Sequence, residues 1–75
     1  MATKQIQLTI PGFPNVIRVK YEQTKGASGT AHVYQLEGQN ENRITLHADG
    51  KLNKHGIFQK LTDEQAMKIV QGYEN

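Results

Sequence analysis

The residues of this chain that could do chemistry are its three histidines, its single serine and its carboxylates. His47, Asp49 and His55 lie around one predicted hairpin, but zinc needs three or four ligands at about 2.0–2.2 Å, and these spacings do not supply them. Ser28 precedes His32 by four residues, yet it lacks the Gly-x-Ser-x-Gly setting and the third group that orients a catalytic base. We therefore predict no catalytic residue, no metal site and no cofactor, and we do not expect an enzyme.

A short glycine-containing loop carries the other candidate chemistry. Residues 26–29 read Gly-Ala-Ser-Gly and follow Lys25, so backbone N–H groups of this loop could cradle a phosphate. The same composition is typical of a flexible connection between strands, which we favour, and anion binding stays open as the alternative. Asp63 and Glu64 are adjacent carboxylates, but their place in the first turn of a predicted helix explains them without acid–base catalysis.

Basic side chains are spread unevenly along a mildly basic chain. The formal net charge of +2 is small for a dedicated nucleic-acid binder. Arg18 and Lys20 share one side of a predicted strand, and a second basic segment covers residues 51–60. We expect these cations, with polar and aromatic side chains outside the core, to contact a partner. The predicted partner-binding residues are Arg18, Lys20, His32, Tyr34, His47, Lys51 and Lys54.

The facing of the third predicted strand, residues 30–36, decides whether an aromatic surface accompanies the basic pair. His32 and Tyr34 share one side of this strand and Val33 lies on the other, and both sides mix polar with apolar side chains. Both facings therefore stay open. If the aromatic side lies beside the basic pair, the bases of a single-stranded nucleic acid could stack on the aromatic side chains while the cations contact its phosphates.

A helix is predicted over residues 63–71, and its apolar side must pack on the strands. Thr62 and Gln65 have the spacing of a capping box, in which each side chain accepts a hydrogen bond from the other residue's backbone N–H. One apolar stripe with helical spacing is formed by Ala66, Ile69, Val70 and Tyr73. Gly72 is predicted to end the helix, since it adopts a left-handed conformation without steric cost. Because such a short helix is marginal in water, it must pack its stripe on strands.

Alternation of apolar and polar residues predicts the strands. They cover about 5–10, 16–23, 30–36 and 43–48, and a fifth strand stays open at 56–60. Asp49-Gly50 predicts a type I′ hairpin turn, and short loops favour antiparallel pairing of consecutive strands. We therefore predict an α+β fold in a single small domain over residues 1–75. It is a four- or five-stranded antiparallel β-meander with one C-terminal α-helix packed on one face.

Composition narrows the class of protein. The chain has no cysteine, no apolar run near the ~20 residues of a membrane span and no leader-like N-terminus. We expect a cytoplasmic protein without a membrane partner. The predicted function is a small non-enzymatic binding protein that docks on a larger protein or complex, as an accessory or inhibitor protein of the kind that phages and plasmids encode. Nucleic-acid binding through a basic sheet face or the Lys-rich hairpin is the alternative, and a homodimer also stays open.

Overall fold

The chain folds into one antiparallel sheet with a helix on one side. The computed structural model describes residues 2–75, and each strand pairs antiparallel with the next in chain order. The predicted α+β meander with a C-terminal helix is confirmed, and it has five strands. The elements are β1 (Ala2–Gln7), β2 (Val16–Gly26), β3 (Gly29–Leu36), β4 (Gln39–Leu46), β5 (Leu52–His55), a 3-10 helix (Gly56–Lys60) and α1 (Asp63–Glu74).

Helix α1 begins as its sequence predicts. The Thr62 hydroxyl accepts a hydrogen bond from the Gln65 N–H, and the Gln65 side chain accepts one from the Thr62 N–H, each at 3.1 Å. The predicted apolar stripe is buried. The predicted stop at Gly72 is wrong, because the helix continues to Glu74. A Cβ on Gly72 would lie 2.9 Å from Cγ2 of Ile6, so this glycine lets the helix approach β1 closely.

The hydrophobic core lies between α1 and one face of the sheet. Alternate residues of the strands point toward the helix, as the pleat requires, and the 3-10 helix adds Phe58 to the same layer. The loop between β1 and β2 contributes Phe13, whose ring centroid lies 6.1 Å from that of Phe58. The buried apolar residues are Ile6, Leu8, Ile10, Ile17, Val19, Tyr34, Ile44, Phe58, Leu61, Ala66, Ile69, Val70 and Tyr73.

The connection between β2 and β3 is a two-residue turn, not the flexible loop that the sequence predicts. The strands stay paired up to Gly26 opposite Gly29, so only Ala27 and Ser28 turn the chain. Gly29 has a φ of +117°, and a Cβ there would lie 2.7 Å from the Cβ of Ala48 in the β4–β5 loop. The two hairpin tips therefore pack side by side.

β1 and β4 have different bounds from those predicted. β1 ends at Gln7 rather than at residue 10, although Leu8 remains in the core. β4 begins at Gln39 rather than at residue 43, because residues that the sequence assigns to a polar loop continue the strand next to β3. Polar residues form the same backbone hydrogen bonds as apolar ones, so side-chain alternation locates only the half-buried part of a strand.

The β4–β5 hairpin turns at Asp49-Gly50, but the turn type differs from the prediction. A type I′ turn needs positive φ at both central residues, and among the described residues only glycines have positive φ. Instead the Gly50 N–H donates to the His47 carbonyl oxygen at 3.0 Å, and Gly50 takes a φ of +90°. This is a three-residue loop with a glycine bulge. The Asp49 carboxylate accepts the Lys51 N–H at 2.9 Å and stabilises the loop.

The fifth strand lies earlier in the chain than predicted. β5 is Leu52–His55, and the predicted strand at 56–60 is a 3-10 helix instead. Gly56 has a φ of +66°, a left-handed conformation that ends the strand and turns the chain. As a result Phe58 is buried in the core, whereas Ile57 is exposed.

Two lysines, one from each edge strand, fasten the two ends of α1. Lys4 Nζ on β1 donates to the Tyr73 carbonyl oxygen at 2.8 Å, near the helix C-terminus, where the peptide dipoles favour a cation. Lys54 Nζ on β5 donates to the Leu61 carbonyl oxygen at 2.8 Å and pairs with Asp63 Oδ1 at 2.7 Å. The helix is therefore held across the sheet from one edge strand to the other.

Candidate functional site

The sheet face turned away from α1 is a polar surface that the fold leaves uncovered. Every residue on this face is half-buried or exposed, whereas the opposite face holds the core. A single helix covers one side of a five-stranded sheet, so the other side meets solvent. We call this surface the open face, and it comprises Thr3, Gln5, Gln7, Val16, Arg18, Lys20, Glu22, Val33, Gln35, Arg43, Thr45, Asn53 and His55.

One row of the open face crosses all five strands. From β1 to β5 this central row contains Thr3, Lys20, Gln35, Arg43 and His55. Because neighbouring strands are about 4.8 Å apart, the Cα atoms of Lys20 and Arg43 lie about 10 Å apart, with Gln35 between them. Neither cation forms an ion pair with a carboxylate of the described residues. The row therefore presents two cations without a carboxylate partner at the middle of the sheet, although Arg43 Nη1 donates one hydrogen bond to the Asn40 carbonyl oxygen at 3.0 Å.

The flanks of the central row are polar and partly neutralised. Arg18 Nε donates to Glu37 Oε1 at 3.0 Å, and both side chains are about half exposed, so solvent screens this pair. Glu22 lies on the opposite flank, next to the apolar Val33. The predicted placement of Arg18 on a solvent-facing side of the sheet is confirmed, but its charge is already partnered within the chain.

His32 and Tyr34 lie on the helix side of the sheet, so the aromatic surface expected beside the basic pair does not form. Tyr34 pairs with Tyr21 across β2 and β3 and is 3% exposed. Its expected place outside the core is wrong, because the register that buries Ile44 opposite it also turns Tyr34 toward the helix. His32 lies on the same side, with Nδ1 2.5 Å from the Tyr21 hydroxyl oxygen.

His47 and Lys51 meet at the hairpin tips rather than on the central row. Together with Ser28 and Asn53 they line a cavity of about 370 Å³, in which the Asn53 amide lies 2.8 Å from His47 Nε2. Asp49 lines the same cavity and offsets the charge of Lys51, so these two side chains give the cavity no net positive charge. The anion-binding alternative for the glycine-containing loop therefore gains no support here. Within residues 2–75, no three metal-ligating side chains converge.

Each free edge of the sheet carries one of the two lysines that bind the ends of α1, and these lysines oppose pairing with another strand. Lys4 on β1 binds the Tyr73 carbonyl oxygen near the end of α1, and Lys54 on β5 binds the Leu61 carbonyl oxygen and the Asp63 carboxylate at its start. An inward-pointing charge on an edge strand opposes the addition of another strand. Lys54, a predicted partner-binding residue, is therefore occupied within the fold, and the edges disfavour binding by strand addition.

Gln35 and Arg43 complete the central row, although the sequence does not single them out. Arg43 precedes the inward-facing Ile44, and alternation alone would turn it to the open face. Gln35 becomes an open-face residue only once the facing of β3 is known, and that facing depends on the pairing of Tyr34 with Tyr21. For Gln35 the missing signal was therefore strand register, not residue type.

Comparisons of the chain with protein-family models, with curated proteins and with solved structures find no match. None of the helices within residues 2–75 combines the length and the apolar character that crossing a bilayer requires. Interpretation of function therefore depends on the geometry and charge of the open face.

Proposed function

We propose that this protein is a small non-enzymatic binding module that docks through its open face on a larger protein. The observation that carries the proposal is the central row, in which Lys20 and Arg43 flank Gln35 without an internal counter-ion. Two cations separated by an amide match a protein surface that presents carboxylates and backbone carbonyls. The partner is therefore expected to offer an acidic, polar patch.

The size of the open face suits a protein partner. Five strands at about 4.8 Å and about eight residues at 3.3 Å give a projected area on the order of 600 Å². Because side chains protrude from the sheet, the accessible area of the face exceeds its projected area and approaches the ~800 Å² per partner of a standard protein interface. The lysines on the edge strands β1 and β5 oppose strand addition, which also favours docking through the open face over pairing at an edge.

Nucleic-acid binding through the same face has weaker support. Single-strand binders combine cations with aromatic side chains on which bases stack, and the aromatic residues His32, Tyr34 and Tyr21 lie on the helix side. The open face also carries Glu22, and Glu37 in the turn between β3 and β4 pairs with Arg18 beside it, so both carboxylates would repel phosphates. The experiment on docking therefore includes an arm with nuclease.

Reversing the two available charges of the central row is expected to abolish docking. The protein is immobilised and used to capture partners from a lysate of its source cells, with and without nuclease. The double variant Lys20→Glu/Arg43→Glu is expected to weaken the captured complex by about 100-fold or more, because each charge-assisted hydrogen bond contributes about 1.5–3 kcal/mol. Isothermal titration with the captured protein measures the dissociation constant.

A matched double variant separates site from net charge. Lys25→Glu/Lys68→Glu makes the same change in charge at exposed positions away from the central row and should retain the partner with nearly unchanged affinity. If both double variants lose the partner equally, or if nuclease removes the partner, the proposed protein-docking role of the open face is wrong.

A further inference from the structure

A second surface feature lies on the helix side of the sheet, beside the C-terminal end of α1. It is a cavity of about 420 Å³ with an aromatic wall made by Tyr21 and His32 and an apolar floor made by Leu46 and Val70. The carboxylate of Glu74 stands at its mouth. This cavity and the open face lie on opposite sides of the sheet, so it is independent of the proposed docking surface.

The Glu74 carboxylate is held in place from below. The Tyr34 hydroxyl donates to Glu74 Oε1 at 2.9 Å, and Tyr34 is itself buried and cannot turn away. Burial, together with the hydrogen bond to Glu74, raises the pKa of the Tyr34 hydroxyl, which therefore remains a protonated donor at neutral pH. No lysine, arginine or histidine of the described residues forms an ion pair with Glu74. A carboxylate has about four acceptor positions, and the Tyr34 hydroxyl occupies one of them, so the exposed Glu74 carboxylate that lines the cavity retains acceptor positions for a ligand.

The aromatic wall is equally fixed. The rings of Tyr21 and His32 are nearly parallel, with centroids 5.8 Å apart and an interplanar angle of 16°, and a hydrogen bond joins them. Tyr21 also packs against Tyr34 and Tyr73, with centroids 5.1 and 5.3 Å away. The same tyrosine cluster already holds one cation, since Lys4 Nζ lies 4.9 Å from the centre of the Tyr73 ring.

We propose that this cavity binds the guanidinium group of an arginine side chain presented by a polypeptide. A planar guanidinium can stack on the flat Tyr21–His32 wall while it donates two hydrogen bonds to Glu74. The methylene stem of the arginine would lie on Leu46 and Val70. An ammonium has no flat face to stack, so arginine is preferred to lysine.

The shape of the cavity indicates a side chain rather than a free small molecule. Glu74 and Gln23 line the cavity and are exposed, so its mouth is wide. Small-molecule sites usually bury 70–90% of their ligand, which this cavity cannot do. A side chain that enters from a polypeptide needs only its tip enclosed.

Titration with capped amino acids tests this proposal on the intact protein. N-acetylarginine methylamide is added while NMR follows the ring resonances of Tyr21 and His32. We expect saturable shifts with a dissociation constant in the millimolar range, which is usual for one side chain removed from its chain. The citrulline derivative has nearly the same shape without charge, and it should bind at least about tenfold more weakly.

The variant Glu74→Gln keeps an acceptor for the Tyr34 hydroxyl but removes the negative charge, and it should weaken binding by at least about tenfold. Glu64→Gln makes the same charge change in the first turn of α1 and should leave binding unaltered. The proposal is overturned if the arginine derivative causes no shift up to about 50 mM, or if Glu74→Gln binds it as tightly as the unchanged protein does. It is also overturned if the citrulline derivative, or N-acetyllysine methylamide titrated in the same way, binds equally well. If free arginine binds more tightly than the capped form, the inference that the arginine belongs to a polypeptide is wrong.

Discussion

Replacing Phe58 with alanine is expected to lower the free energy of unfolding by about 3–5 kcal/mol. Phe58 is 1% exposed, and it belongs to the largest fully buried side chains together with Ile44, Ile69 and Val19. Its ring joins the 3-10 helix to the sheet and stacks on Phe13. A chain of this length has a total stability on the order of 4–11 kcal/mol, so the variant should lose a large part of it.

The measurement for Phe58→Ala is urea unfolding followed by circular dichroism. Phe58→Leu preserves most of the buried volume and should lose much less stability, whereas Val16→Ala, at a position 44% exposed on the open face, should be nearly neutral. A Phe58→Ala variant that unfolds within about 1 kcal/mol of the unchanged protein would mean that the 3-10 helix is not packed on the core.

Replacing Gly56 with alanine is expected to destabilise the protein by about 3 kcal/mol or more. The residue has a φ of +66°, which costs an L-residue about 1–2 kcal/mol. A Cβ would also lie 2.5 Å from the Glu41 carbonyl oxygen and closer still to Asn42 Oδ1. Asn42 is buried and accepts the Ile57 N–H at 3.0 Å, so it cannot move without leaving that N–H unpaired.

Gly50 provides the matched control for Gly56. It also has a positive φ, of +90°, but a Cβ there would meet no atom within 4 Å. Gly50→Ala should therefore carry only the conformational cost, and thermal unfolding should separate the two variants by several degrees or more. Equal melting temperatures would show that the close approach of Gly56 to Asn42 is absent in solution.

Helix α1 could be predicted from sequence because all of its signals are local. Thr62 and Gln65 form the predicted capping box, and the apolar stripe has a helical period that no strand would share. Gly72 was misleading, since a glycine can serve either as a helix stop or as a point of close packing. Only the position of Ile6, more than sixty residues earlier in the chain, distinguishes the two roles.

The facing of β3 could not be predicted because both sides of the strand mix polar with apolar residues. Its outcome depends on the pairing of Tyr21 with Tyr34, which joins residues from two strands. A shift of one residue would have exchanged Tyr34 and Val33 between the two faces. One of the five residues of the central row depends on this facing, since Gln35 reaches the open face for the same reason that Tyr34 leaves it.

The bounds of β5 and the role of Lys54 were beyond local reasoning for a similar cause. A lysine in a short polar segment is typical of a solvent-exposed surface. In the structure Lys54 faces inward, because the carbonyl oxygen of Leu61 and the carboxylate of Asp63 offer its ammonium two partners at the start of α1. In contrast, alternation alone placed Arg18 and Lys20 correctly on the solvent-facing side.

Methyl relaxation in the presence of a soluble gadolinium chelate measures directly whether α1 covers one side of the sheet and leaves the open face to solvent. The methyl groups of Val33 and Thr45 should relax strongly as the chelate is added, while those of Ile44 and Ile69, which are 0% exposed, should be protected. If Val33 and Thr45 are as well protected as Ile44, the open face is covered and the proposed docking surface does not exist.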